Sequence, residues 1–337
     1  MPLLTATYGL TLSNPIRIQI DDSVDLTFEV HLNAFRVSLA IIRCNGPTTM
    51  IHEQLKIWET DQIIIAVRRD EPDDPPDIKF IDGGGRDFTD RFTWFMPKLQ
   101  EYQEIAVTVI KRLLEYFKYT MKSPCGIFDS ALSRQFANAE WKDCRGNVVD
   151  CGITNDTFDF RSSPGPESFG EKAFAASDIA DLNAAIETAA TPPSSAQEFL
   201  SDSQSSAIER NYRRSVLELA IACEVAIKQA FFVTATAAGA AFEFMEDKSK
   251  VSLRAIELLD GPAFEAFGES FKVQFEEDFR RLNYLFRCRN KIAHRALAEF
   301  RDDGGIRIAV DRATLRDWRV AAEHLFDWLE KHTGRKP

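Results

Sequence analysis

The feature that most constrains this chain is a change of hydrophobic period. Through the first eighty residues apolar side chains alternate with polar ones, as in Ile16, Ile18 and Ile20. That is the spacing of a strand with one face buried. Leu3 to Leu12, Ile16 to Ile20, Leu26 to Leu32, Phe35 to Cys44 and Ile63 to Val67 are the expected strands. Ser13-Asn14-Pro15, Asp21-Asp22-Ser23, Asn45-Gly46-Pro47 and the acidic, proline-rich Asp70 to Pro76 separate or close them. From residue 89 the period lengthens. Phe92, Phe95, Met96, Leu99, Tyr102, Ile105, Val109, Ile110, Leu113, Leu114 and Phe117 recur at steps of three and four, which predicts a long helix over 89–122. A short helix around Ser130 to Phe136, followed by strands, is the expectation for the stretch beyond it.

Arg161 to Gly170 has the composition of a linker, and the expected domains are 1–160 and 171–337. Ala173 to Ala190 reads as a helix of the second domain, and Ser194 or Ser195 can cap the next one. Ser205 to Phe232 reads as one helix. Ala263 to about Phe300 is a second long helical stretch with an interruption near Gly268, Asp302 to Gly305 a turn, and Ala313 to Lys331 a last helix. The expected class is α+β: an N-terminal β-rich domain with a long packed helix, and an all-α C-terminal bundle.

Charge narrows the function classes. With 41 basic against 52 acidic residues the chain carries a formal net charge of −11, so it repels nucleic acid and anionic membranes on average and needs a local basic patch to hold a polyanion. No apolar run approaches the ~20 residues of a membrane span, and no basic-then-apolar leader begins the chain. The six cysteines include no Cys-x2-Cys pair and read as reduced thiols. A cytoplasmic protein without membrane contact, metal or cofactor is the expectation.

One segment departs from the acidic average. Phe279 to Ala298 holds Arg280, Arg281, Arg287, Arg289, Lys291 and Arg295 and no acidic residue, whereas a solvated helix face ordinarily mixes its signs. At ~100° per residue, Leu282, Leu285, Phe286, Ile292, Ala293 and Ala296 share one face. Asn290 and His294 then lie one turn apart at the border between core and cations, and Arg289 near the centre of the apolar stripe, where a charge needs a partner. The candidate RNA-binding cations are Arg280, Arg287, Lys291 and Arg295.

Arg289-Asn290-Lys291-Ile292-Ala293-His294 resembles the Arg-Asn-x3-His form of the Arg-x4-to-6-His motif of HEPN domains, helical modules widespread in prokaryotic defence and toxin proteins. Arg213 to Glu224 is similar to the first long helix of the HEPN domains of ApeA-like proteins, and Glu224 and Lys228 have the Glu-x3-Lys spacing of several HEPN nucleases. The resemblance covers about 173–332; the N-terminal half resembles no named family. It implies a metal-independent endoribonuclease, commonly a homodimer whose two motifs face each other. His294 is then the general acid/base, Arg289 the phosphate and transition-state stabiliser, Asn290 the orienting residue, and Glu224 and Lys228 their support. The chemistry suits these side chains, because an imidazole exchanges protons near neutral pH and a guanidinium forks onto phosphate oxygens. The implied products are a 2′,3′-cyclic phosphate and a 5′-hydroxyl, and the N-terminal domain is expected to sense a protein or small-molecule trigger, restrain the nuclease or select the RNA.

Blander readings stand beside these. Arg289 can be a structural arginine paired with Glu224, and Glu224 with Lys228 a helix-stabilising pair. The helical part can be a non-catalytic HEPN module for dimerisation or for nucleotide or protein binding, or a stalk for an N-terminal β-sandwich binder. Gly83-Gly84-Gly85 lacks the Gly-x4-Gly-Lys spacing of a phosphate loop and reads as a turn. His31 and His52 have no matched ligand set. Cys144 and Cys151 flank the Gly146-Asn147 turn and read as free thiols.

Overall fold

The structure is a computed structural model, which describes residues 2–20, 26–42, 49–50, 56–81, 85–123, 130–137, 139–149, 173–188, 193–233 and 254–334. The Arg161 to Gly170 segment, His52, Cys151, Gly83 and Gly84 lie outside these. Two units emerge, Met1–Thr191 and Pro192–Pro337, and the fold class is α+β.

The first unit is built on one sheet. Its strands are β1 (Leu3–Ile20), β2 (Thr27–Leu32), β3 (Phe35–Ile42), β4 (Thr49–Met50), β5 (Lys56–Asp70), β8 (Glu140–Lys142) and β9 (Ala173–Phe174), while β6 (Lys79–Ile81) and β7 (Gly85–Asp87) form a separate small ribbon. The main path runs β2-β3-β5-β1-β8, and its neighbours are antiparallel. Ser13-Asn14-Pro15 does not separate two strands as expected. β1 runs through it, with a shift of register against β5 between Thr11 and Ile16. A bulge is one of the few places in a sheet that tolerates a proline, which has no N–H for the ladder.

Alternation along the strands segregates the two faces. Leu4, Ala6, Tyr8 and Leu10 of β1, Val37 and Leu39 of β3, and Ile63, Ile65 and Val67 of β5 are buried. Against them packs α1 (Thr89–Glu115), which continues as a π-helical turn, Tyr116–Thr120. Phe95, Tyr102, Ile105, Val109, Ile110 and Leu113 supply its buried face, but Phe92 and Met96, expected on the same stripe, are exposed. Tyr102 meets Phe35 edge-on at 4.9 Å between ring centroids. Among the described residues, α1 and the later helices of this unit add their buried side chains to the one core that this face forms.

α2 (Ser130–Gln135) sits beside β1, with the Gln135 amide donating to Thr11 O at 2.7 Å. The next helix corrects the domain boundary. α3 (Asp178–Glu187) belongs to the first unit, where Leu182 and Ile186 enter its core. Arg112 of α1 donates to the carbonyls of Ile186 and Glu187 at its end, and Tyr116 Oη donates to Asp178 O at 3.4 Å. Two leucine-sized side chains and these bonds fix the helix to the sheet unit, whatever the composition upstream suggests.

The second unit is helical: α4 (Ser195–Ile208), α5 (Tyr212–Val233), a 3-10 turn Ala255–Leu259, α6 (Gly261–Phe267), α7 (Phe271–Gln274), α8 (Glu276–Arg295) and α9 (Arg312–Thr333), with a hairpin of β10 (Glu299–Arg301) and β11 (Arg307–Ala309) between α8 and α9. Ser194 caps α4 in a capping box with Gln197. The expected single helix from Ser205 is two: the chain breaks at Glu209 to Asn211, where Arg210 takes a φ of 61°. Ser203 Oγ donates to Ser215 O at 2.9 Å and Ser206 Oγ to Glu218 Oε2 at 2.7 Å, a polar seam that ties α4 to α5. The break near Gly268 (φ 77°) is present, and a second one at Phe275 separates α7 from α8. α5 is the central helix and packs against α4, α8 and α9.

Candidate active site on the C-terminal helices

The buried stripe of α8 is Asp278, Leu282, Leu285, Cys288 and Ile292. This differs from the expected stripe. Phe286 is only half-buried, and Ala293 and Ala296 are exposed. The stripe's centre therefore turns away from Asn290 and His294, which are both exposed on the outward face of the helix rather than at a border. Arg289 moves from the expected centre to the margin.

At that margin α5 and α8 meet. The Glu224 carboxylate lies 3.1 Å from Lys228 Nζ, one turn along α5, and 3.7 Å from Arg289 Nη2 across on α8. Arg289 Nη1 donates to Asn290 Oδ1 at 3.2 Å. Glu224, Lys228, Arg289 and Asn290 thus form one connected polar group, with side-chain exposures of 31% for Glu224, 22% for Lys228 and 38% for Arg289. It is accessible to a ligand rather than sealed in the core. Arg289 keeps donor capacity beyond these two contacts, because a guanidinium has five N–H groups.

His294 stands one turn beyond Asn290, in the last turn of α8, two residues before the left-handed cap at Ala296. Its imidazole has no hydrogen-bond or ion partner among the described residues. Both ring nitrogens are open to a ligand, and a cationic side chain here also complements the negative end of the helix dipole.

The cations expected to bind RNA are mostly held by acids that the Phe279 to Ala298 window does not contain. Arg280 pairs with Glu277; Arg287 lies 3.7 Å from Asp303 and Lys291 3.5 Å from Glu299, both carboxylates coming from the hairpin beyond the helix. Arg295 is exposed and has no ion partner among the described residues. Arg281 bonds Asp278 and pairs with Glu277.

One pair escaped the sequence reading. His324 of α9 places Nδ1 2.7 Å from Asp278 Oδ2, and Arg281 Nη1 is 3.3 Å from the other carboxylate oxygen. The carboxylate fixes an imidazole whose side chain stays 48% exposed. Only the i to i+46 packing of α8 on α9 brings these together, so no local spacing signals it. Sixteen residues of α8 separate Asp278 from His294, about 24 Å at 1.5 Å per residue, so this pair and His294 cannot act on one phosphodiester within a single chain.

Burial raises both thiols of this unit: Cys223 and Cys288 are pushed up to about 12, which makes neither a nucleophile near neutral pH. Among the described residues no group of three His, Cys, Asp or Glu side chains is placed to hold a metal ion, and no helix is long and apolar enough to cross a membrane. No protein-family model, curated protein or solved structure matches the chain.

Proposed function

We propose that the chain is a HEPN-type endoribonuclease of a prokaryotic toxin or anti-phage defence system, working in the cytoplasm as a homodimer through its C-terminal unit. The observation that carries this reading is the convergence of Glu224 and Lys228 of α5 with Arg289 and Asn290 of α8, one turn from an exposed His294 that has no partner among the described residues. Four residues singled out for one chemistry from two separate stretches of sequence meet in space.

The reaction needs no metal to generate its nucleophile. A ribose 2′-hydroxyl gives its proton to an imidazole, its oxygen attacks the adjacent phosphorus, and the bond to the departing 5′-oxygen breaks as that oxygen takes a proton. A 2′,3′-cyclic phosphate and a 5′-hydroxyl result. Arg289, held from behind by Glu224, stabilises the charge that accumulates on the phosphorane oxygens. Asn290 bonds a phosphate oxygen or steers the guanidinium that it already touches. An imidazole on the outward face of a helix makes no cleft by itself. A second copy supplies the opposing wall and the second proton-transfer group, which is why the homodimer belongs to this reading.

A second reading has its own support. Internal pairing of Arg280, Arg287 and Lys291 leaves α8 with less free positive charge than the sequence suggests, and this favours a non-catalytic HEPN module that dimerises or binds nucleotides or a protein. Incubating the protein with tRNA and total RNA in excess EDTA separates the two. Cleavage that disappears in His294→Ala supports the nuclease; intact RNA with retained binding supports the module.

A further inference from the structure

One face of the N-terminal sheet carries half-buried and exposed side chains, and one row across it is rich in basic residues. Thr5 is in register with Lys142 on one side and Arg68 on the other; Arg68 is opposite Arg36, and Arg36 opposite His31. The row therefore reads Lys142, Thr5, Arg68, Arg36, His31 over β8, β1, β5, β3 and β2. Adjacent strands lie ~4.8 Å apart, so five strands span roughly 19 Å. All five side chains point away from the core, because their chain neighbours Leu4, Ala6, Val30, Leu32, Val37, Val67 and Trp141 are buried. Arg36 and His31 are exposed.

Like charges directly opposite on neighbouring strands destabilise a sheet. Arg36 and Arg68 are such a pair, and neither has a carboxylate partner among the described residues; the one bond from Arg68 is Nη1 to Ser38 Oγ at 2.8 Å. Acids are not scarce here. Glu29 and Glu140 lie in the next row and Asp70 two residues beyond Arg68. Glu140 pairs with Lys142 at 3.1 Å, and Glu187 accepts the His31 backbone N–H at 2.8 Å. Although the chain has 52 acidic residues, none among the described ones pairs with these two adjacent guanidiniums. Beside them the next row is floored by small side chains, Thr7, Ala66 and Ser38, and the row after it holds Gly9 and Ala40 on either side of the exposed Ile64.

We infer that this row is a docking surface for the phosphodiester backbone of the RNA, lying on a different unit from the cleavage site; the inference rests on the nuclease reading for the identity of the polyanion. Paired guanidiniums fork onto phosphate oxygens. Two guanidiniums on adjacent strands, with Lys142 and His31 at the two ends of the same row, suit successive phosphates of a linear polyanion better than a single phosphate, and the small side chains of the next row let a backbone approach. Apart from the His31 imidazole at its end, the aligned rows of this face carry no aromatic ring on which a base can stack, so most contacts are to phosphate and independent of sequence. Arg36 and Arg68 supply what most of α8 lacks, positive charge that no carboxylate among the described residues holds.

The test is fluorescence anisotropy of a labelled single-stranded oligoribonucleotide against the full chain carrying His294→Ala, titrated over a range of salt. Removing two phosphate contacts with Arg36→Ala and Arg68→Ala lowers the slope of log affinity against log salt by about 1.4, since each single-strand contact contributes about 0.7. Arg36→Lys with Arg68→Lys retains the slope, which separates charge from misfolding. Arg254→Ala with Lys272→Ala, whose cations are paired with Glu257 and Asp260, leaves it nearly unchanged. An unaltered slope in the Arg36→Ala, Arg68→Ala protein, or no RNA binding by the chain at all, overturns the inference. Cleavage by the wild type together with an unaltered slope removes this surface and leaves the nuclease standing. A slope that falls as expected in a chain that cleaves nothing does the reverse.

Discussion

Glu224→Gln separates a structural from a positioning role at the α5–α8 junction. The carboxylate serves Lys228 at 3.1 Å and Arg289 at 3.7 Å, and all three side chains are a fifth to two-fifths exposed. Ion pairs in that setting are screened by water and contribute about 0.2–1 kcal/mol each, the i,i+4 pair about 0.3–0.5. Glutamine keeps the shape and one acceptor oxygen, so the loss of stability is below about 1 kcal/mol. For a unit of this size that is a fall in melting temperature of no more than about 4 °C. The effect on cleavage is larger. Without the carboxylate, the Arg289 guanidinium is free to turn from the position where it meets the phosphorane, and displacements of about 1 Å cost up to about 100-fold. Single-turnover cleavage of an oligoribonucleotide, with a thermal melt of the same preparation, reads both quantities. A fall of roughly 10–100-fold with near-native stability is expected. Unchanged cleavage, or a stability loss above about 3 kcal/mol with activity falling only in step with it, refutes the reasoning.

Three further outcomes follow from the units taken singly. Glu71 is 2% exposed and accepts from Tyr102 Oη at 2.9 Å and Arg69 Nε at 2.8 Å, with Lys98 at 3.5 Å; burial works to raise its pKa, but these partners hold it below the ordinary carboxylate range. The stabilisation is therefore full above the unfolded carboxylate pKa, about 4.3, and is lost as pH falls toward the lowered folded value, so urea midpoints of the first unit, followed by hydrogen exchange over β1 and α1, drop less steeply below pH 5 in Glu71→Gln than in the wild type. Gly268→Ala places a Cβ in open space at a φ of 77°, so strain alone acts and the second unit loses about 1 kcal/mol in chemical denaturation; no loss contradicts the left-handed cap. Maleimide at pH 8 on the native chain modifies the exposed Cys144 and spares the buried Cys223 and Cys288, as peptide mapping will show; labelling of Cys288 contradicts the packing of α8.

Strand existence and the α+β class were legible because burial alternates strictly along β1, β3 and β5, and α1 because its stripe repeats over seven turns. What escaped depended on groups far apart in sequence or on backbone geometry without a glycine to mark it. The α4–α5 break turns on Arg210 at positive φ, a conformation its sequence does not advertise. α3 fell on the wrong side of the boundary because only the burial of Leu182 and Ile186 reveals which core it completes. At the candidate site, the approach of Arg289 to Glu224 was among the readings open to the sequence, since a charge near an apolar stripe needs a partner. The outward face of His294 was not, because Asp278 and Cys288 carry the buried stripe of α8 and shift its centre. The acids that occupy Arg287 and Lys291 come from the β10–β11 hairpin, and windowed charge cannot see them.

The nuclease reading is tested most directly by incubating total RNA and tRNA with the wild type and His294→Ala in excess EDTA, and by identifying the RNA ends. The account predicts fragments ending in 2′,3′-cyclic phosphate and 5′-hydroxyl from the wild type and none from the variant. Equal cleavage by both proteins, or intact RNA with both, contradicts it.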